Sequence, residues 1–196
     1  MRMDVRPVHL TGQIVRLDPL DREHAPSLYH HGDPGIFAYL FVRPEPHTLT
    51  GYQRYIEETL ERPSSCAFAV VLRDSGAAIG VTTYIDIRPE HRGLEIGSTW
   101  IARQHQGTRV NPEMKYLMSR HAFEELAAVR VQLKTDGRNV QSQRAIAKLG
   151  AIYEGTLRKH LILPDGYVRD TVMYSITDAE WPQVKAGLEA RLGYIP

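Results

Sequence analysis

Cysteine is nearly absent: Cys66 is the only one in 196 residues, so no disulfide can close within the chain. That usage fits a reducing compartment. Cys66 opens an apolar run and reads as a buried structural thiol. Long hydrophobic runs are lacking too; none approaches the roughly 20 residues that span a bilayer. Residues 1–9 are charged and have no apolar core, so they are no secretion signal. Cytoplasm and no membrane partner are therefore expected. An excess of one charge is also missing: 24 basic residues face 23 acidic ones. This balance gives no broad electrostatic case for nucleic acid. There is no internal repeat, low-complexity tract or linker, and Gly and Pro are near ordinary frequency, which excludes a disordered chain. Nine histidines are present, but His30, His31, His91, His105 and His160 lack metal-ligand spacing, and His121 with Glu124 is no zinc helix motif. No metal is expected.

What is present is enough apolar sequence, 42%, for one domain with a sizeable core. Residues 1–11 read as a loose lead-in and residues 12–192 as a single domain. Strand patterns fall at 14–17, 66–72, 78–87, 94–101 and 130–135. Two of these join through Asp74-Ser75-Gly76 as a hairpin. A last hairpin turns at Pro164-Asp165-Gly166, between 151–163 and 167–176. Helices are expected at 21–30, capped by Asp21, and at 50–61. A third opens at Asn111-Pro112-Glu113, with Asn111 as cap, Pro112 first in the helix, and Met114, Leu117, Met118, Ala122 and Leu126 on one face. A fourth covers 140–149 and stops at Gly150, and a fifth covers 178–192 with Asp178 as cap. The order β-α-α-β-β-β-α-β-α-β-β-α makes a mixed α/β sheet.

The stretch from Glu95 to Gly150 carries the chemistry. A strand feeds the small-residue loop Gln106-Gly107-Thr108-Arg109-Val110 into a helix at Asn111. The first amides of a helix have no internal partner, and the dipole favours an anion there. Gly107 lets a ligand approach the backbone closely. These five residues and Asn111 can turn successive N–H groups toward a diphosphate. Glu113, in the first turn, is expected to point outward. The loop is neither a Walker loop nor a dinucleotide fingerprint, since Gly-Lys-Ser/Thr and the further glycines are missing. A second helix start follows at Asn139-Val140-Gln141-Ser142. Two such starts side by side suit a long phosphorylated carrier, which points to coenzyme A.

These residues resemble the GNAT superfamily of acyl-CoA N-acyltransferases, and within it the Rim-type group that acetylates ribosomal-protein N-termini. Gln104-His105-Gln106-Gly107-Thr108-Arg109 matches the superfamily loop except at Arg109, where a small residue is usual. Asn139, Ser142, Lys148, Leu149 and Gly150 match the Rim-type helix motif. Glu154 to Arg158, Asp165 to Asp170, Met173 to Ile176 and Glu180-Trp181 extend the likeness over nearly the whole chain. The resemblance implies a central, mostly antiparallel sheet splayed between the fourth and fifth strands, flanked by helices. Acetyl-CoA would lie in that V-shaped gap, and an amine would attack the thioester directly. Backbone at Trp100, Ile101 and Ala102 would hold the cofactor and the oxyanion. Glu95 is the candidate base, with a salt-bridged strand residue as the competing reading. Ser142 would protonate the leaving thiolate, or simply satisfy its own helix. Asn139 would bridge the pantetheine arm or only cap. Arg144 and Lys148 would reach phosphates or stay solvated. Tyr39, Tyr84, Arg158, Tyr167 and Asp170 are candidates for the acceptor side. The acceptor is a protein N-terminus or a small amine such as an antibiotic or polyamine. An acyl-CoA sensor without turnover stays open, as does a homodimer.

Overall fold

A computed structural model describes residues 3–194. One eight-stranded sheet organises the chain, with strands in the order β1-β2-β3-β4-β5-β6-β8-β7. β1 (Leu10–Thr11) and β2 (Val15–Pro19) precede α1 (Ala25–His31) and α2 (Leu49–Leu60). β3 (Cys66–Leu72), β4 (Ala78–Arg88) and β5 (Gly93–Ile101) form a meander. α3 (Val110–Arg120) then crosses to β6 (Arg130–Asp136), the one strand paired in parallel. α4 (Val140–Ala147), β7 (Ile152–Ile162), β8 (Val168–Thr177) and α5 (Trp181–Leu192) complete it. Among the described residues no helix is long and apolar enough to cross a membrane.

Two apolar clusters lie on opposite faces. Leu28, Phe37, Tyr52 and Ile56 pack with Trp100 on the α1/α2 face. Leu94, Ile96, Met114, Leu117, Leu133, Ile146 and Leu188 pack on the face that carries α3, α4 and α5. Strand alternation explains the division: neighbours in sequence such as Leu94 and Glu95 must point to opposite faces.

The expected helices form, with shifted starts. Thr48 caps α2 by accepting from the Gly51 N–H. Asp21 caps a 3₁₀ turn at Arg22–His24 that leads into α1. α3 begins at Val110, one residue before the expected cap, and Pro112 sits third. The third residue still has no intrahelical partner for an N–H, so proline costs nothing there. α5 begins at Trp181 after Glu180, while Asp178 only bonds the next N–H. Its early start fails because Glu180 turns back to the Thr177 N–H.

Two further expectations are corrected. The lead-in is not loose over its described part: Met3 and Leu10 are buried, and Leu10 pairs with Leu17. Met1 and Arg2 lie outside the described residues. Glu113 does not point outward; it is 0% exposed. Its carboxylate accepts from the N–H groups of Gln13, Ile14 and Val15 at 2.9, 2.8 and 2.7 Å. The Tyr194 hydroxyl donates to it at 2.6 Å. Gly12 allows this approach, since a Cβ there would stand 2.6 Å from the carboxyl carbon.

Candidate active site

β5 and β6 hold together over three pairs, Gly93–Arg130, Leu94–Val131 and Glu95–Gln132, and then part. This is the V-shaped gap expected between the fourth and fifth strands of the sequence reading. β5 also carries a bulge. Val81 pairs with Trp100 and Thr83 with Gly97, so Ser98 and Thr99 oppose Thr82 alone. Ser98 takes a left-handed φ of 46° there. Such a two-against-one bulge bends a strand and re-aims its groups.

At the mouth of the gap stands the loop from Ala102 to α3. Gly107 has φ 74°, and nothing lies within 4 Å of where its Cβ would be. The Gln106 N–H is spent on Arg103 O, and the Val110 N–H on Thr108 Oγ1. No hydrogen bond claims the N–H groups of Gly107, Thr108 or Arg109 among the described residues. Three free amides around an open glycine at a helix start fit a diphosphate. The Arg109 side chain runs elsewhere, ending near Gly193 at the close of α5. Its contribution to the loop is therefore its amide. Asn111 lies in the first turn of α3, not at its cap.

Along β5 the expected trio divides. Trp100 is buried on the α1/α2 face, where its Nε1 donates to the Tyr55 hydroxyl. Its side chain is a core group, and its main chain pairs with Val81 of β4. The Ala102 N–H donates to Ile79 O at 2.8 Å and cannot serve an oxyanion. Alternation then turns Ile101 toward the gap, and Gln106 Nε2 already bonds Ile101 O from that side. Across the gap Asn139 caps α4 by accepting from the Ser142 N–H at 2.9 Å. Ser142 is half-buried in the first turn, and Arg144 and Lys148 are exposed.

The apex of the gap is lined with charge. Glu95 is 1% exposed. It accepts from Gln132 Nε2 and pairs with Lys134 Nζ, both at 2.9 Å. Asp136 follows on the same face of β6 and is held by Arg138 through contacts of 3.0 and 2.8 Å. Burial raises the Asp136 carboxyl, but the Arg138 hydrogen bonds and charge outweigh it and keep it below the usual range. Arg138 carries Tyr167 at 3.3 Å and Tyr39 at 5.4 Å from its guanidinium. On the α3 face, Lys115 is 7% exposed and donates to Thr99 Oγ1 in the bulge at 2.9 Å. Burial pushes its ammonium down to about 7, with Glu95 opposing.

Of the five acceptor candidates, the structure brings Tyr39 and Tyr167 together over Arg138. It removes Tyr84, which is fully buried and donates to Met118 O at 2.6 Å. Asp170 accepts from the Lys159 N–H and stitches β8 to the bulge in β7. Arg158 stays exposed on β7. A cavity of about 250 Å³ opens beside α2, lined by Val42, Tyr55, Glu58, Thr59, Arg62 and Ser98. It reaches the bulge from the α1/α2 side, where Arg62 donates to Ser98 Oγ. Lys115, Gln132, Lys134, Asp136 and Arg169 escaped the sequence reading. The alternation of Gln132, Lys134 and Asp136 was the signal for three of them, and it resembles an ordinary solvated strand face.

The acetyltransferase (GNAT) domain profile matches residues 15–152. The chain belongs to the GNAT acetyltransferase family. This GNAT protein is similar to a Bacillus subtilis (strain 168) protein named "Putative ribosomal N-acetyltransferase YdaF", with 26% identity over 88% of this chain and 93% of the relative. Its fold is similar to the crystal structure of a "putative acetyltransferase" from T. thermophilus, with a TM-score of 0.91, 43% identity and coverage of 97% and 100%. A GCN5-related N-acetyltransferase from Brucella melitensis also has a TM-score of 0.91, at 27% identity, covering 97% of this chain and 88% of that one. GNAT acetyltransferases use acetyl-CoA, and the free amides and the parted strand edge of this GNAT chain fit such a carrier.

Proposed function

We propose that this acetyltransferase moves an acetyl group from acetyl-CoA directly to the α-amino group of a protein N-terminus. The observation that carries the reading is the meeting of two approaches at the β5 bulge. The gap reaches it from the α3 loop, and the cavity beside α2 reaches it from the other face. The name of the Bacillus relative supports a ribosomal-protein acceptor. The Gly107, Thr108 and Arg109 amides grip the diphosphate, and the β5 edge bonds the amide-bearing arm. The Ile101 N–H is the backbone donor left for the oxyanion, and one such donor is worth about 2.7–4 kcal/mol.

The amine attacks the thioester carbon, forming a C–N bond as the C–S bond breaks. Glu95 receives the amine proton and returns it to solvent, while Ser142 passes one to the departing thiolate and takes its replacement from solvent. An α-amino group has a pKa near 8, about one unit from neutral, so a modest base suffices. The confined cavity gives a small amine some support as the alternative acceptor. A pooled panel of peptides and small amines, read by thiol release and product mass, separates the two. Thioester binding with no thiol release from any amine would sink the enzymatic reading of the site. Glu95→Gln should slow turnover most at low pH, where deprotonation is hardest. An unaltered pH–rate profile removes Glu95 from the reaction.

A further inference from the structure

One more cation faces this side of the sheet, and its Nε is without a partner. Arg169 lies on β8 two residues before Thr171, which pairs with Asp136. It therefore shares the face of Gln132, Lys134 and Asp136. Only 6% of it is exposed. Its Nε has no hydrogen-bond partner, and no ion pair or hydrogen bond reaches its guanidinium among the described residues. Asp136 on β6 and Glu95 on β5 are the carboxylates whose charge acts on it, and the register sets it beyond the last β6 pair, Asp136–Thr171, toward the open end of the gap. Each carboxylate already holds another partner. Asp136 is engaged by Arg138, and Glu95 by Lys134 and Gln132.

A buried charged donor left unpaired is expensive, costing at least about 1–3 kcal/mol. Folds keep such a group where a ligand completes it. The guanidinium is a rigid planar fork that matches a carboxylate with two parallel bonds. The amides offered to the phosphates open α3, which packs on the opposite face of the sheet, so the phosphates do not answer this cation. We propose that Arg169 reads a carboxylate borne by one of the two reactants, a few atoms from the reacting carbon. The proposal rests on the gap being the acyl-transfer site. The carboxylate belongs either to a dicarboxylic acyl group on the thioester or to the amine, as in an amino acid.

Two arms separate these sources in the full-length protein. The first compares succinyl-CoA with acetyl-CoA toward one carboxylate-free peptide amide. The second compares amino acids with their amides, using acetyl-CoA. In one arm the carboxylate should raise kcat/KM by about tenfold or more, and Arg169→Gln should erase most of that ratio. Melting curves check that the variant folds. Should it not fold, Arg169→Lys, which keeps the charge and loses the fork, must lower the ratio instead. A ratio near one in both arms, or one that survives in the variants, overturns the proposal. Turnover of acetyl-CoA with no carboxylate preference sinks this inference alone. Failure of every thioester to bind in calorimetry sinks it together with the proposed function.

Discussion

Two buried glutamates, Glu113 and Glu95, stand in regions built to opposite standards. The Glu113 carboxylate is fully met by three main-chain amides and a tyrosine hydroxyl. It ties α3 to the turn between β1 and β2. The Glu95 carboxylate is met by two side chains, and two further cations that feel its charge, Lys115 and Arg169, are poorly met. Lys115 makes one hydrogen bond, and the Arg169 guanidinium makes none. Backbone amides cannot move away from their partner, so the first arrangement serves stability. Side chains can exchange partners when a substrate arrives, so the second leaves charge available for chemistry. Unsatisfied polar groups are tolerated where a ligand is to complete them.

The strongest way to break this comparison is at Glu113. Glu113→Ala takes the acceptor from three amides, that of Val15 fully buried, and should cost about 3–5 kcal/mol of unfolding free energy. A loss under 1 kcal/mol in denaturant titration would put Glu113 on the same footing as a surface residue.

Lys115 comes next. Its folded pKa of about 7 lies below its unfolded value near 10.4. Between these values the unfolded chain binds more protons, so stability rises with pH across that window. Lys115→Met should flatten the rise, which amounts to about 4–5 kcal/mol over the whole window. Unfolding curves at pH 6, 7.5 and 9 check the slope, and an unchanged slope would mean that Lys115 is not desolvated.

Gly107→Asp sharpens the contrast at the gap mouth. A carboxylate beside the free amides and a strained positive φ should weaken acetyl-CoA binding about tenfold. Unchanged affinity in calorimetry would refute the loop assignment. The smallest effect is expected at Tyr84. Tyr84→Phe loses the bond to Met118 O and about 1 kcal/mol of stability. The acceptor KM should not move, and a large change would restore Tyr84 to the site.

The fold was legible where local rules act alone. The continuous apolar run of residues 66–72 and the turn at Pro164-Asp165-Gly166 both read correctly. So did the cap at Asn139, because a side chain bonding an amide three residues on needs no distant partner. The reading faltered where a distant group intervened. Asn111 loses the cap position because α3 starts earlier. Tyr84 leaves the acceptor side because α3 offers it a carbonyl. The Trp100 side chain turns into the core, where α2 offers it the Tyr55 hydroxyl. For both aromatic residues a polar tip found its partner on another element, and spacing carries no record of that.

The order of strands and helices, the open glycine loop and the family likeness were written in the chain itself, since periodicity and turn chemistry are properties of neighbouring residues. Which charges meet in the gap was decided only by the tertiary structure. Alternation places Gln132, Lys134 and Asp136 on one face, but only the packing of β5, β6 and β8 turns that face inward and brings Glu95 and Arg169 to it. Burial makes those charges strong, and burial is a property of the assembled sheet.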